Sequence, residues 1–352
     1  MRINRTHTAA ALAALLVLGL TAAGCGGSGQ TSTNGPGAQQ TGSSTLVGAG
    51  STLVAPLVAQ WESPYSTAKN VTITYGAIGS GGGIAQMTAR TVDFGASDAP
   101  LTSDQAKACS GCVQIPWALA ATTVSYNVPG LTKPLRLTGP VLASIYLGKI
   151  TNWSDPAITK LNPGLNLPNM AIHVVYRSDG SGDTYAFTSY LSDVSSQWKS
   201  QVGYATTVSW PTGTGGKGNA GVAAAIEATP GAVGYVAIGQ AVASKLDYAE
   251  IGNSAGTFVK PSTASIAAAA ATARFTKDNA ASIVDPPASA KTAYPISTFT
   301  YVIVPRSSSK LAALKEFLTY AVTAGQKDAA PLDFAPLPKN VVAKDKTAIK
   351  GL

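Results

Sequence analysis

Four short stretches of the chain concentrate hydroxyls, carboxylates and glycines in a pattern suited to holding an oxyanion. The richest is Tyr176-Arg177-Ser178-Asp179-Gly180-Ser181-Gly182-Asp183-Thr184, which follows the apolar run Ile172-His173-Val174-Val175 and leads into the helix-forming Tyr185-Ala186-Phe187-Thr188-Ser189-Tyr190-Leu191. A strand feeding a Gly/Ser turn that opens a helix leaves several backbone N–H groups pointing one way, where the helix dipole favours negative charge. Arg177 adds a fixed fork of donors for oxygen. Taken alone, the stretch also suits a surface turn in which an Asp or Ser caps a helix.

The other three are Gly48-Ala49-Gly50-Ser51-Thr52-Leu53, Gly79-Ser80-Gly81-Gly82-Gly83 and Ala96-Ser97-Asp98. Individually each glycine turn reads as an ordinary reversal, and none carries the lysine of a Walker loop in its required place. Together, Ser51, Thr52, Ser80, Asp98 and the loop 177–184 would converge on one tetrahedral oxyanion, because hydroxyls and amides satisfy oxygen lone pairs without adding full charges. Asp98 suits such a ligand only if the ligand carries a proton. A protonated phosphate oxygen donates to a carboxylate, whereas sulfate at neutral pH has no proton to give and meets repulsion, so Asp98 would act as a selectivity device.

Hydrolysis is the main competing chemistry, with Ser80 or Ser181 as nucleophile. Past the first 24 residues the chain has one histidine, His173, which alternates with apolar residues in a strand and reads as structural. A Ser-His-Asp triad would rest on it alone. No His/Cys/Asp cluster has zinc or calcium-loop spacing, so neither a metal nor another cofactor is expected, and no catalytic residue is assigned.

The 352 residues suffice for one large or two medium domains, and 45% hydrophobic with 12% charged residues describes a folded protein with a mostly neutral polar surface. Arg2 and Arg5 precede an apolar run at 9–20 that is too short to span a bilayer and reads as an export signal, residues 1–24. Thr21-Ala22-Ala23-Gly24-Cys25 resembles the lipobox of bacterial lipoproteins, in which the cysteine becomes the lipidated N-terminus; ordinary cleavage and release is the alternative. Residues 25–44 are uncharged and rich in Gly, Ser, Thr, Gln and Asn, a flexible linker spanning about 25 Å. The formal charge is +8, and +6 once Arg2 and Arg5 are removed with the signal. Its lysines and arginines are scattered singly, which argues against a nucleic-acid groove and for solubility or attraction to an anionic envelope. In this exported setting Cys109 and Cys112 read as a small structural disulfide rather than a redox pair.

The elements that must position these loops alternate. Strands at 46–47, 71–75 and 92–95 are each followed by a glycine or acidic turn and, after the first two, by helices at 55–61 and 84–90. That alternation argues for an α/β fold with a largely parallel sheet, whose ligands bind beyond the carboxyl ends of the strands. Residues 122–128 read as a crossing strand, 172–191 as strand, loop and helix, and 210–228 as a glycine loop before an Ala-rich helix. Residues 298–304 form the best strand of the last third, and 310–322 an amphipathic helix.

As a set, Gly48-Ala49-Gly50-Ser51-Thr52, Gly79-Ser80-Gly81-Gly82-Gly83, Thr91-Val92-Asp93-Phe94-Gly95-Ala96-Ser97-Asp98-Ala99-Pro100, Ile145-Tyr146-Leu147-Gly148-Lys149-Ile150-Thr151-Asn152-Trp153, Arg177-Ser178-Asp179-Gly180-Ser181-Gly182 and Gly215-Gly216-Lys217-Gly218-Asn219 resemble, in order, the phosphate-binding lipoproteins of bacterial phosphate-specific ABC importers. The resemblance covers nearly the whole chain from Thr45. It implies a two-lobe periplasmic-binding-protein-like fold of type II, with lobe I from 45–125 plus 297–352, lobe II from 126–296, and the ligand between them. It implies phosphate contacts from Ser51, Thr52, Leu53, Ser80, Asp98, Arg177, Ser181, Gly182 and Asp183. Many relatives have Thr where this chain has Asp183, which either pairs with Arg177 or accepts a second phosphate proton. The implied protein is a non-enzymatic monomer, anchored through Cys25 to the extracytoplasmic face of the cell membrane, serving ABC permease subunits with a cytoplasmic ATPase. A receptor for another oxyanion, a surface phosphoesterase and an adhesive surface lipoprotein remain the competing readings.

Overall fold

The computed structural model describes residues 44–352, so the signal segment, Cys25 and the linker as far as residue 43 lie outside the described residues. From its start the chain runs β1 (Ser44–Gly50), α1 (Ala55–Lys69), β2 (Val71–Ala77), α2 (Ser80–Thr88), β3 (Phe94–Ser97) and α3 (Ser103–Ala108). β1 pairs in parallel with both β2 and β3. The loops that leave the carboxyl ends of these three strands therefore emerge along one edge of the sheet, carrying Ser51, Ser80 and Asp98.

Next comes β4 (Cys112–Tyr126), fifteen residues long and buried from Gln114 onward. It is followed by β5 (Arg136–Leu137), α4 (Gly139–Tyr146), α5 (Pro156–Thr159), β6 (His173–Arg177), α6 (Gly182–Val194), α7 (Ser196–Gln201), β7 (Thr214–Gly216), α8 (Gly218–Ala228) and β8 (Ala232–Ala237). Then α9 (Ile238–Ala243), β9 (Asp247–Tyr248), β10 (Glu250–Gly252), β11 (Phe258–Val259) and α10 (Thr263–Ala270) precede β12 (Ser297–Pro305), α11 (Leu311–Ala321) and α12 (Lys339–Lys350).

The main sheet has the order β2-β1-β3-β12-β4-β8-β6-β7, with β9 added on β4. Residues 112–121 of β4 pair antiparallel with β12, and residues 122–126 pair antiparallel with β8. β4 thus carries the chain from one half of the sheet to the other, and β12 runs back beside it between β3 and β4. In the second half β6 lies parallel to β8 and β7. The loops after β6 and β7 accordingly open α6 and α8, as the loops after β1 and β2 open α1 and α2. Two aromatic clusters fill the halves: Trp61, Tyr65, Phe94, Trp117 and Phe317 in the first, and Tyr146, Phe187, Trp210 and Tyr235 in the second. Burying an aromatic side chain contributes about 2–3 kcal/mol, and the two clusters belong to one continuous core that runs through both halves.

One expectation from sequence needs correction. β4 begins at Cys112, ten residues before the crossing strand read at 122–128, because a strand covered on both faces shows no alternation to read. His173 stands in a strand as expected, at the exposed start of β6. Arg177 ends the same strand, about 13 Å further on by strand rise, so the histidine takes no part in the cleft. Cys109 and Cys112 are joined in a disulfide, with their Cα atoms 5.5 Å apart.

Candidate oxyanion clamp

The loops from both halves meet. Gly81 N donates to Gly180 O at 2.9 Å, and Gly182 N donates to Ser80 Oγ at 3.0 Å. Glycine is required at these contacts by close approach. A Cβ on Gly182 would lie 2.4 Å from Asp98 Cβ, and one on Gly79, where φ is +87°, would lie 2.3 Å from Asp179 Oδ2.

Asp98 is buried at the centre. Ser51 Oγ donates to its two oxygens at 2.6 and 2.7 Å, Ser80 Oγ to Oδ2 at 3.3 Å, and Thr300 Oγ1 to Oδ1 at 2.8 Å. Ser51 Oγ also accepts from Leu53 N at 3.0 Å and Val54 N at 3.3 Å, so it caps the entry to α1. Leu53 contributes an amide to this cap while its side chain is buried in the core. Burial, and then the charge of Asp183, push the Asp98 carboxyl up to about 7 against the opposing hydrogen bonds of Ser51 and Thr300.

Across the cleft, Arg177 is held by two carboxylates. Its Nε and Nη2 donate to Asp179 at 2.8 and 2.6 Å, and Nη1 donates to Asp183 Oδ2 at 3.1 Å. Asp183 is fully buried and accepts also from Thr122 Oγ1 at 2.7 Å and Asn219 Nδ2 at 2.8 Å. Burial raises its carboxyl, and Arg177, Thr122 and Asn219 offset part of that rise. Burial opposes the charge of Asp179 too, but Arg177 and the Gly218 N–H outweigh it and lower that carboxyl. Ser181 caps α6, accepting from Thr184 N at 3.3 Å, and its own amide donates to Thr206 O at 2.8 Å.

The structure therefore brings Ser51, Ser80, Asp98, Arg177, Ser181, Gly182 and Asp183 into one buried cluster. Thr52 lies at its edge, where Thr52 Oγ1 accepts from Asn219 Nδ2 at 2.9 Å. Of the two roles open to Asp183 from sequence, the geometry has it paired with Arg177. Sequence reasoning missed Asp179, Asn219, Thr122 and Thr300. Asp179 was legible two residues from Arg177, whereas Thr122 and Thr300 stand among neighbouring hydroxyls, Thr123 and Ser125 or Ser297 and Thr298, and nothing in the sequence singles them out. Asn219 bridges both halves, since its amide group serves Thr52 and Asp183 while its Oδ1 accepts from Ala237 N at 2.8 Å. That bridge has no signature in sequence. Three carboxylates around one guanidinium would total −2 if all were ionised. Raised proton affinity at Asp98 and Asp183, with four helix N-termini aimed from both halves, reconciles the cluster with a protonated anion.

A family model described as a PBP superfamily domain matches residues 35–324. The phosphate-binding protein PstS of Xylella fastidiosa strain Temecula1 is 43% identical over 315 residues, covering 88% of this chain and 86% of its own. Phosphate-binding protein PstS 3 of Mycobacterium leprae is 33% identical over 376 residues and covers both chains in full. The fold is shared with an ABC-type phosphate transport receptor from Vibrio cholerae, at a TM-score of 0.56 and 19% identity over 83% of this chain and 100% of that one. It is shared also with a phosphate-binding protein from Stenotrophomonas maltophilia, at 0.66 and 20% over 86% and 93%. With the two-lobe architecture, the buried clamp and these relatives in agreement, the chain belongs to the PBP superfamily and, within it, to the PstS family of phosphate-binding proteins.

Proposed function

We propose that the protein is an extracytoplasmic receptor that binds inorganic phosphate between its two lobes and delivers it to an ABC import permease driven by a cytoplasmic ATPase. The observation that carries this reading is Asp98, a buried acceptor ringed by hydroxyls from both crossing and loop segments, one of which, Ser80, also accepts from the Gly182 amide. A monoprotonated phosphate donates its proton to Asp98, and the hydroxyls of Ser51 and Ser80 turn from the carboxylate to the remaining oxygens. Thr52, Leu53, Ser181 and Gly182 supply further donors. Arg177 gives the cationic contact, held in place by Asp179 and Asp183.

Lobe I comprises 45–125 with 297–352 and lobe II comprises 126–296, so opening takes place about β4 and β12, the two segments that connect them. Lipidation at Cys25 keeps the monomeric receptor at the membrane, and among the described residues no helix is long and apolar enough to cross one. The relatives are named as binding proteins, which agrees with a protein that holds its ligand without chemistry. Titration calorimetry with phosphate and sulfate tests the reading. Tight phosphate binding with at least a hundredfold weaker sulfate binding is expected, and sulfate binding as tight as phosphate binding would refute the role given to Asp98.

A further inference from the structure

Away from the cleft, three cations that are scattered in sequence share one cavity. Lys277, Arg306 and Lys344 line a space of about 400 Å³ together with Val113, Asn279 and Thr347, and no carboxylate lines it. An adjoining space of about 110 Å³ shares Lys277 and Arg306 and is lined by Asp278 as well. Among the described residues none of the three cations forms an ion pair. Like charges gathered around a recess repel one another and are relieved by a bound anion.

The walls are built rather than loose. Arg306 Nη1 donates to Gly351 O at 3.3 Å, and the Lys344 ammonium sits over the Phe275 ring at 5.5 Å. Buried Asn279 donates to Gln114 O at 3.1 Å, while Gln114 Nε2 donates to Asp278 O at 3.0 Å, which fixes the loop bearing Lys277.

The position of the cavity in the sheet is informative. Tyr301 of β12 pairs with Ser97 beside Asp98, and Pro305 pairs with Cys112, so Arg306 and Val113 lie at the end of the sheet opposite the cleft. β1 is parallel to β3 with Gly50 opposite Ala96, so its first residue, Ser44, lies at that same end. Lys310 Nζ ties the two together, donating to Thr45 O and to Asp93 Oδ2, both at 2.8 Å. The segment that leads to Cys25 thus joins the fold on the side of the basic cavity.

We propose that this cavity, formed where residues 277–279 pack against the first lobe, takes the phosphodiester headgroup of an anionic phospholipid, seating the protein on the membrane with the cleft directed away from it. The inference rests on the export reading, which places the chain beside a membrane, and not on phosphate as cargo. In this seated pose the receptor samples the surrounding solution, and it leaves the surface when it turns to a permease.

The test uses the processed chain from residue 25 with Cys25→Ser, so that no acyl group contributes. Co-sedimentation with phosphatidylglycerol vesicles and with phosphatidylcholine vesicles at low salt is measured. Binding to the anionic vesicles alone is expected. Lys277→Gln, Arg306→Gln and Lys344→Gln should each weaken it about fivefold, and together on the order of a hundredfold. A charge-matched triple at the exposed Lys133, Lys160 and Lys199 should change it less than about twofold. Equal losses in the two triples would reduce the effect to net charge and overturn the site. Equal binding to both vesicle types would overturn it as well. Release from vesicles by inorganic phosphate, added after the cleft is saturated, would assign the cavity to a free anion instead. Arg306→Gln against Arg306→Lys, each checked for an unchanged unfolding transition, carries the test if the triple variant does not fold.

Discussion

Asp98 accepts hydrogens from three hydroxyls in the closed cleft, so a ligand proton must replace one of them and meet a carboxyl already raised by burial and by Asp183. Asp98→Asn removes the charged acceptor while keeping the shape. Phosphate affinity should fall about 10- to 100-fold, the loss typical of a hydrogen bond to a charged group, and discrimination against sulfate should shrink. Calorimetry on both anions reads this, and an unchanged phosphate affinity would remove Asp98 from the clamp. Asp183→Thr withdraws one negative charge from beside Asp98, which lowers the proton affinity of that carboxyl. One proton must be shared between Asp98 and phosphate, so affinity declines as pH rises. The midpoint of that decline, followed by titration from pH 6 to 8, should move to lower pH in the variant. Coincident profiles would mean that Asp98 does not feel the charge of Asp183.

Among the elements, the start of α6 packs closely against Asp98 across the two halves. In Gly182→Ala the new Cβ would collide with Asp98 as the halves are arranged here, and the proposed hinge opening would relieve the clash. Phosphate affinity should drop at least a hundredfold while the melting temperature of the ligand-free protein stays within a few degrees. A melting temperature that falls in step with affinity would show the contact to be a permanent part of the fold, and would count against hinge opening. The elements were legible in sequence where their pattern was local. β1, β2, β6 and the helices after them were marked by glycine turns at strand ends, and α11 by an apolar stripe. β4 was legible only in its last few residues, since Ile115, Trp117 and Leu119 alternate with small residues buried equally deeply. α12 was missed because its buried stripe, Val341, Asp345 and Ile349, has a carboxylate at its middle and the helix carries four lysines. The clamp was legible as four similar turns, but the partners that orient it, Asn219 and Thr300, reach it only through the tertiary fold.

For the molecule as a whole, the buried carboxyls set how stability varies with pH. Asp98 is raised to about 7, and Asp345, buried on α12 with no hydrogen-bond partner for either oxygen, is raised by burial to about 8. Each binds its proton more tightly in the folded than in the unfolded chain. Between their unfolded values, near 4, and these raised values the folded state holds more protons, so stability falls as pH rises through this window. Thermal unfolding without phosphate should therefore show a lower melting temperature at pH 8 than at pH 5. Asp345→Asn should recover on the order of 1–3 kcal/mol of the loss at the higher pH, and a variant that parallels the parent at every pH would exclude Asp345 as the source. β12 has a further consequence for how the chain is made. It lies between β3 and β4 yet is synthesised only after everything from β5 to α10. The first half of the sheet cannot close until the last third of the chain is available, so folding order runs against synthesis order. A chain ended at residue 296 should lack the cooperative unfolding of the first half, whose sheet β12 completes. An emerging polypeptide that stays open until it is nearly complete suits passage through a membrane as an extended thread.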